Sequence, residues 1–250
     1  MSAIAPQAQP FLWPGTGHAA LLFVHGFTAS PSEVAPTARL IHQSGNITVQ
    51  GILLPGHGTD PLDLNQTRWL DWYRVVEDRC HHLLGEYDQV YLAGLSMGGM
   101  LALYAGLHVE GLKGIISINA PLFVRNPGRV RVAPLLQFCR SCWPKEKVEF
   151  DSREQERFAY DCYPLKALSS MLILRRRLMK GLPDMKLPLL IMQSKQDESV
   201  LMESAHYIFR HCRQAEVRVL ELPRSKHVAT MGVEKEMIAQ EIQSFINTNS

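Results

Sequence analysis

The sequence predicts an α/β fold in which a mainly parallel sheet is flanked by helices. Short apolar segments alternate with amphipathic segments, a pattern typical of strands that are connected by helices. At 250 residues the chain is long enough for one such domain carrying an insertion. The expected strands, all buried on both faces, cover residues 19–24, 47–53, 89–93, 114–118, 189–193 and 217–222.

Boundary residues indicate where the connecting helices begin and end. Ser30 and Glu33 have the spacing of a capping box, and Gly45 is expected to end the helix that follows. Thr67 is expected to cap the next helix. A last helix is expected over about 230–245.

The alternation of strands and helices stops between about residues 121 and 188. No strand is expected there, and Arg, Glu, Leu and Met predominate. Pro164 is expected to open a helix whose apolar residues recur at helical spacing. The sequence therefore predicts a core domain formed by residues 1–120 and 186–250, with residues 121–185 as a helical insertion.

Charge and hydropathy exclude several classes of protein. The formal net charge is only +2, and no basic run is interleaved with aromatic residues, so a nucleic-acid partner is not expected. The longest apolar segments fall well short of the ~20 residues that span a bilayer, so no stable membrane insertion is expected. The first 15 residues lack the basic start and apolar block of a signal peptide, so a cytoplasmic location is expected.

The five cysteines have irregular spacing that does not resemble a disulfide framework, so free thiols are expected. Cys139 and Cys142 form a CxxC pair. No second CxxC or histidine pair completes four zinc ligands, so two ordinary cysteines are a better interpretation than a metal or redox site. No cofactor and no metal are predicted.

A G-x-S-x-G motif occupies residues 94–98, directly after an expected strand and before a helix-forming segment. This is the context of a nucleophile elbow, a sharp turn that holds a serine hydroxyl above the edge of the sheet. The flanking glycines are needed because side chains there would collide with the neighbouring strand and helix. Ser96 is therefore the candidate nucleophile.

A serine hydroxyl needs a histidine base, and the histidine needs an acid that fixes its tautomer. After such an elbow the acid and then the histidine follow in chain order. Asp197 comes just after the fifth expected strand and His227 just after the sixth, so both lie at carboxyl ends of strands. The alternative acids are the adjacent Glu198 and, less well placed because they lie within or before strands, Glu221 and Asp184.

The negative oxygen that forms when Ser96 attacks needs two preorganised donors. One is the backbone N–H of Met97, the residue after the nucleophile. The second is assigned to the N–H of Phe27, in the loop after the first strand, where Gly26 permits a close backbone approach. His25 in the same loop is interpreted as structural.

Six segments carry a resemblance to a known family: LLFVHGFT at 21–28, LPGHG at 54–58, AGLSMGG at 93–99, INAPLFV at 118–124, QSKQDESV at 193–200 and SKHVAT at 225–230. With these, the chain resembles the small bacterial carboxylesterases and monoacylglycerol lipases of the α/β-hydrolase superfamily. The resemblance implies an α/β-hydrolase fold and a helical cap at 121–185 over the pocket. It also implies the roles given above to Ser96, Asp197, His227, Phe27 and Met97.

The expected function is hydrolysis of short to medium acyl esters or monoacylglycerols through an acyl-enzyme on Ser96. The expected partner is a small-molecule acyl ester. Phe123, Met171 and Leu172 are expected to line an apolar slot for the acyl chain, with simple packing as the alternative.

Other functions remain open on sequence alone. A thioesterase, amidase, acyltransferase or carbon–carbon bond hydrolase would use the same three residues, and a non-catalytic ligand-binding protein could keep the fold. Dehalogenases and epoxide hydrolases are disfavoured because they need a carboxylate at the position of Ser96.

Overall fold

A computed structural model describes residues 3–145 and 156–249. In this part of the chain the strands, in chain order, are β1 (Phe11–Trp13), β2 (Ala19–Val24), β3 (Ile47–Ile52), β4 (Gln89–Leu95), β5 (Gly114–Ile118), β6 (Cys142–Pro144), β7 (Cys162–Pro164), β8 (Leu189–Ser194) and β9 (Val217–Leu222). The α-helices are α1 (Ala35–His42), α2 (Pro61–Leu64), α3 (Trp69–Leu84), α4 (Met97–Gly106), α5 (Pro127–Leu136), α6 (Leu165–Gly181), α7 (Glu203–His211) and α8 (Lys235–Thr248).

Seven strands form the central sheet in the order β1-β3-β2-β4-β5-β8-β9. All neighbours pair in parallel except β1, which pairs antiparallel to β3. The predicted α/β fold with a mainly parallel sheet is therefore confirmed, and all six expected strands are present. The short β1 was not expected from the sequence.

Two apolar layers cover the sheet because successive strand residues point to opposite faces. In β2, Leu22 packs on the face covered by α3, α4, α6 and α7, whereas Phe23 packs on the face covered by α1 and α8. The carboxyl ends of the parallel strands all reach one edge of the sheet. Residues that follow β2, β4, β5, β8 and β9 are thus brought together there.

The expectation that β9 is buried on both faces is wrong. Leu222 is buried, but Val217, Val219 and Leu220 are only partly buried, and Arg218 and Glu221 are open to solvent. As the last strand of the sheet it pairs only with β8, so its outer edge is not enclosed by another strand.

Three helix starts also differ from the prediction. The last helix, α8, begins at Lys235 and not near residue 230. Ser30 caps a single 3-10 turn, Pro31–Glu33, and α1 begins only at Ala35. The Glu33 side chain does not complete a capping box, because its carboxylate accepts from the backbone N–H of Gly26. Arg68, and not Thr67, precedes α3; Thr67 instead donates to the carbonyl of Leu64.

The chain between β5 and β8, here called the inserted segment, contains α5, β6, β7 and α6. The strands β6 and β7 pair antiparallel, so the expectation of no strand in this region is wrong. Helix α5 packs on α6 through Ala133, Leu165 and Leu168. Residues 146–155 of the expected cap lie outside the described residues.

The expectation that all cysteines are free is wrong for one pair. Cys142 and Cys162 form a disulfide between β6 and β7, with their Cα atoms 5.9 Å apart. The pairing of the two strands brings these cysteines together across 20 residues of sequence. Cys80, Cys139 and Cys212 are free, as expected.

No helix among the described residues has both the length and the apolar character needed to cross a bilayer.

Candidate active site

Ser96 lies at the sharp turn between β4 and α4. Its φ of 56° and ψ of −118° fall outside the regions that serine ordinarily adopts, so the turn is strained as a nucleophile elbow requires. The turn is held by a 2.8 Å hydrogen bond from the Ser96 N–H to the carbonyl of Ile118, at the end of β5.

Two glycines of the motif allow this turn to form. A Cβ at Gly94 would collide with the backbone carbonyl of Gly98, and a Cβ at Gly98 would collide with the carbonyl of Val24 in β2. In both cases the obstacle is backbone, which cannot move aside as a flexible side chain could. The spacing of the motif is thus explained by the close approach of β2, β4 and α4.

The three residues expected to act together lie in hydrogen-bonding succession. The Ser96 Oγ is 3.0 Å from the Nε2 of His227, and the Nδ1 of His227 is 2.7 Å from the Oδ2 of Asp197. With the proton on Nδ1 donated to the carboxylate, Nε2 is left as the acceptor for the serine hydroxyl. This arrangement can remove a proton from Ser96.

Asp197 is held independently of the histidine. Only 1% of the residue is exposed, and its Oδ1 accepts two 2.8 Å hydrogen bonds from the N–H groups of Ser199 and Val200. Its backbone carbonyl accepts a further 2.7 Å bond from the Nε of Arg125. The carboxylate is therefore fixed in one orientation, with Oδ2 directed to His227.

The electrostatic interaction between Asp197 and His227 favours an ionised carboxylate and a more basic imidazole. Burial would raise the pKa of Asp197, but the charge and hydrogen bond of His227, helped by the two amides, hold that pKa below its usual value. Burial would lower the pKa of His227, but the charge and hydrogen bond of Asp197 outweigh it and raise that pKa. Asp197 therefore stabilises an imidazolium at His227.

Two of the alternative acids pair with lysines, and in the described part of the chain none of the alternatives bonds to His227. Glu198 pairs with Lys226 at 3.7 Å, and Glu221 pairs with Lys195 at 2.5 Å, both in exposed ion pairs. Asp184 ends a 3-10 turn before β8. Among the described residues, Asp197 is the carboxylate within hydrogen-bonding distance of His227.

Asn119 was not identified from the sequence, although it belongs to the segment INAPLFV. It is fully buried just after β5 and adopts a left-handed φ of 50°. Its Nδ2 donates to the carbonyl of His227 at 2.8 Å and to the Ser194 Oγ at 2.9 Å, and its Oδ1 accepts from the Ser194 N–H at 2.8 Å. Asn119 therefore connects Ser194, the last residue of β8, to the backbone of His227. A polar residue at this sheet edge is the signal that could have indicated it.

Of the two residues expected to supply the oxyanion donors, Met97 follows Ser96 in the chain and Phe27 lies on a loop that runs close to it. Met97 is the first residue of α4, where backbone N–H groups lack partners within the helix. Phe27 lies in the loop after β2, and that loop runs close to the nucleophile, since a Cβ at Gly26 would be 3.3 Å from the Cβ of Ser96.

His25 takes the structural role expected for it. Its Nε2 accepts a 3.1 Å hydrogen bond from the Leu54 N–H, and its Nδ1 lies 2.9 Å from the carbonyl of Gly26. Burial lowers its pKa, which keeps the ring neutral. His25 therefore joins the loop after β2 to the segment after β3.

A cavity of about 330 Å³ opens beside Ser96 and His227. Apolar side chains form one part of its wall, and charged side chains, among them Glu33, Lys145 and Arg157, form another. These three were not expected at the site from the sequence. The apolar lining includes Val124, Val130, Trp143, Leu168, Met171 and Val200.

Of the three residues expected in the acyl slot, Met171 lines the cavity. Phe123 does not, because its ring packs edge-on against Tyr207 with centroids 5.4 Å apart. Leu172 is also absent from the lining, since one residue along α6 turns a side chain by about 100°.

A family model described as the alpha/beta hydrolase family matches residues 21–239. The chain belongs to this family. A carboxylesterase of Bacillus subtilis (strain 168) is 26% identical to this hydrolase over 247 residues, which cover 98% of each chain. A thermostable monoacylglycerol lipase of Bacillus sp. (strain H-257) is 30% identical over 240 residues, covering 95% of the hydrolase and 94% of the lipase.

A solved structure of a metagenome-derived lipolytic enzyme superposes on the hydrolase with a TM-score of 0.90 at 29% identity. The match covers 98% of the hydrolase and 100% of the other chain. The hydrolase is thus an enzyme of the esterase and lipase type.

Proposed function

We propose that the hydrolase cleaves carboxylic esters through a covalent acyl-enzyme on Ser96, with His227 as general base and acid and Asp197 as its acidic partner. The observation that carries this proposal is the succession of hydrogen bonds, 3.0 Å from Ser96 to His227 and 2.7 Å from His227 to Asp197. Activation of a serine by a histidine and a carboxylate needs no metal or cofactor.

In the first half-reaction, the Ser96 Oγ attacks the carbonyl carbon of the ester while the Nε2 of His227 accepts the hydroxyl proton. The carbonyl oxygen becomes an oxyanion, which the N–H groups of Phe27 and Met97 stabilise as donors. The carbon–oxygen bond to the alcohol then breaks. His227 returns its proton to the departing alcohol, leaving the acyl group on Ser96.

In the second half-reaction, water attacks the acyl carbon as His227 accepts a proton from it. A second oxyanion forms on the same two donors and collapses with release of the Ser96 oxygen. His227 returns the proton to Ser96, and the carboxylic acid leaves. Asp197 stays ionised throughout and stabilises the imidazolium in both halves.

The proposed substrates are short to medium acyl esters or monoacylglycerols. The apolar part of the cavity wall, with Leu168, Met171 and Val130, suits an acyl chain. The two Bacillus relatives, a carboxylesterase and a monoacylglycerol lipase, agree with this class. We also propose that residues 121–185 act as a cap over the pocket, since α5, β6 and α6 supply much of its lining.

A cytoplasmic location stays a prediction. The Cys142–Cys162 disulfide weighs against it, because glutathione and thioredoxin keep most cytosolic thiols reduced.

The test is the hydrolysis of p-nitrophenyl esters of graded chain length by the wild type and by Ser96→Ala. We expect kcat to fall by at least about 10⁴-fold in Ser96→Ala with the fold intact by circular dichroism. Ser244→Ala removes an exposed hydroxyl from α8 and serves as the matched control with unchanged turnover. Retained activity in Ser96→Ala would refute the nucleophile. Monoacylglycerols and acyl thioesters in the same panel identify the preferred leaving group.

A further inference from the structure

The loop at residues 26–28, which carries the proposed donor Phe27, is bonded directly to the inserted segment. The Tyr160 N–H donates to the carbonyl of Thr28 at 2.8 Å. The Lys145 Nζ donates to the Thr28 Oγ1 and to the carbonyl of Tyr160, both at 2.6 Å. The Thr28 Oγ1 in turn donates to the carbonyl of Phe27 at 2.5 Å. One chain of hydrogen bonds thus connects Lys145 to the backbone carbonyl of Phe27.

A buried carboxylate holds the other side of the same loop. Glu33 is 1% exposed, and its Oε1 accepts from the N–H of Gly26, the residue before Phe27. Its Oε2 accepts from the Nε and Nη2 of Arg157 at 3.2 and 3.1 Å. Arg157 belongs to the inserted segment, so this contact again joins that segment to the loop.

The loop needs such support because its backbone is strained. Thr28 has a φ of 65°, in the left-handed region that is costly for a residue branched at Cβ. A conformation of this kind persists only where the surroundings hold it. The bonds from Tyr160 and Lys145 both end on Thr28 itself.

The charge state of Lys145 suits a residue that donates hydrogen bonds to Thr28 and Tyr160. Burial, and then the nearby charge of Arg157, lowers its pKa to about 8, against the opposing effect of Glu33 and Asp161. The amine is therefore mainly protonated at neutral pH and donates to both of its acceptors.

We propose that Glu33 and Lys145 are positioning residues that hold the N–H of Phe27 where the oxyanion develops, so that the inserted segment helps to build the oxyanion hole. The inference rests on the proposed function. Both residues act through Gly26 and Thr28, and neither takes part in the transfer of the proton or the acyl group. Both residues therefore stabilise the transition state more than the bound substrate. The N–H of Phe27 is needed most when negative charge has developed on the carbonyl oxygen of the ester.

The test compares Glu33→Met and Lys145→Met with the wild type. Methionine removes the acceptor of the Gly26 N–H, which glutamine would keep. Each enzyme is assayed with a p-nitrophenyl ester and with two inhibitors of matched chain length. A trifluoromethyl ketone forms a tetrahedral oxyanion adduct with the serine, whereas a simple alkyl alcohol binds without reaction. We expect kcat to fall roughly 10- to 100-fold, the scale of a misplacement of about 1 Å. The Ki of the ketone should rise by a similar factor, while KM and the Ki of the alcohol stay within about twofold.

Two further variants keep the result interpretable. Glu241→Met breaks the exposed ion pair between Arg218 and Glu241 and is the matched control for loss of a carboxylate, with kinetics expected to equal the wild type. Glycine tolerates the positive φ of residue 28, so Thr28→Gly should fold without strain. The change nevertheless removes the hydroxyl to which Lys145 donates. Thr28→Gly should lower kcat and leave KM nearly unchanged, and it gives this result even if the Glu33 or Lys145 variant fails to fold.

The inference is overturned if Lys145→Met and Thr28→Gly keep the wild-type kcat, or if the ester, ketone and alcohol all weaken equally. Ser96→Ala in the same series distinguishes failure of the proposed function from failure of the positioning role. Activity in Ser96→Ala contradicts the proposed function, whereas its inactivity together with unchanged kcat in the loop variants contradicts the positioning role alone.

Discussion

Replacement of Asp197 by asparagine tests how the acid controls the histidine. In the wild type, Oδ2 of Asp197 accepts from the Nδ1 of His227, and Oδ1 accepts from the N–H groups of Ser199 and Val200. In Asp197→Asn the amide oxygen can keep both backbone bonds at Oδ1, so the loop should retain its structure. The amide nitrogen then faces His227 and, as a donor, requires Nδ1 to be the acceptor.

The resulting tautomer carries its proton on the Nε2 of His227, directed at the Ser96 Oγ 3.0 Å away. It cannot remove the serine proton, so kcat should fall by about 10⁴-fold. The pKa of His227 should also fall, because the charge of Asp197 raises it in the wild type. Since only the neutral imidazole is a base, wild-type activity should be lost as the pH drops through that raised pKa, and this acidic limb should move to lower pH in Asp197→Asn.

Stopped-flow or steady-state hydrolysis of a p-nitrophenyl ester between about pH 5 and pH 9 measures both effects. Glu221→Gln is the control, since it removes a carboxylate near the same sheet edge that pairs with exposed Lys195. A loss in Asp197→Asn no larger than in this control, or an acidic limb that does not move, would show that Asp197 does not set the state of His227.

Three other variants probe the support of the site. Asn119→Ala leaves the carbonyl of His227 without its donor and should cost about 1–3 kcal/mol of stability, with a lower kcat, as measured by thermal unfolding and ester hydrolysis. Gly98→Ala places a Cβ against backbone at the elbow and should reduce kcat by about 10²-fold or more with KM little changed; wild-type kinetics would contradict the account. The double change of Cys142 and Cys162 to serine opens a loop of 20 residues and should cost about 3 kcal/mol, which reduced wild type should reproduce in the same unfolding assay.

The sheet could be predicted because its central strands are buried on both faces and are rich in apolar residues. The sites of Ser96, Asp197 and His227 followed from one topological fact, that residues after parallel strands meet at one edge. The exposure of β9 could not be predicted from its own residues. It depends on which strand ends the sheet, which is a property of the whole topology.

Long-range pairing explains most of what the sequence did not reveal. Strands β6 and β7 have only three residues each, too few for a pattern, and the Cys142–Cys162 bond depends on their pairing. Glu33 fits a capping box locally, but its carboxylate binds Gly26 and Arg157, the second of which lies 124 residues away. A local pattern carries no information about such a partner.

Covalent labelling with a p-nitrophenyl alkylphosphonate identifies the nucleophile itself, because the phosphonyl group that stays on the attacking residue is not turned over. We expect release of one equivalent of p-nitrophenol, complete loss of esterase activity, and a single adduct that peptide mass spectrometry locates on Ser96. An adduct on another residue that abolishes activity, or full activity after one equivalent has reacted, would contradict Ser96 as the nucleophile.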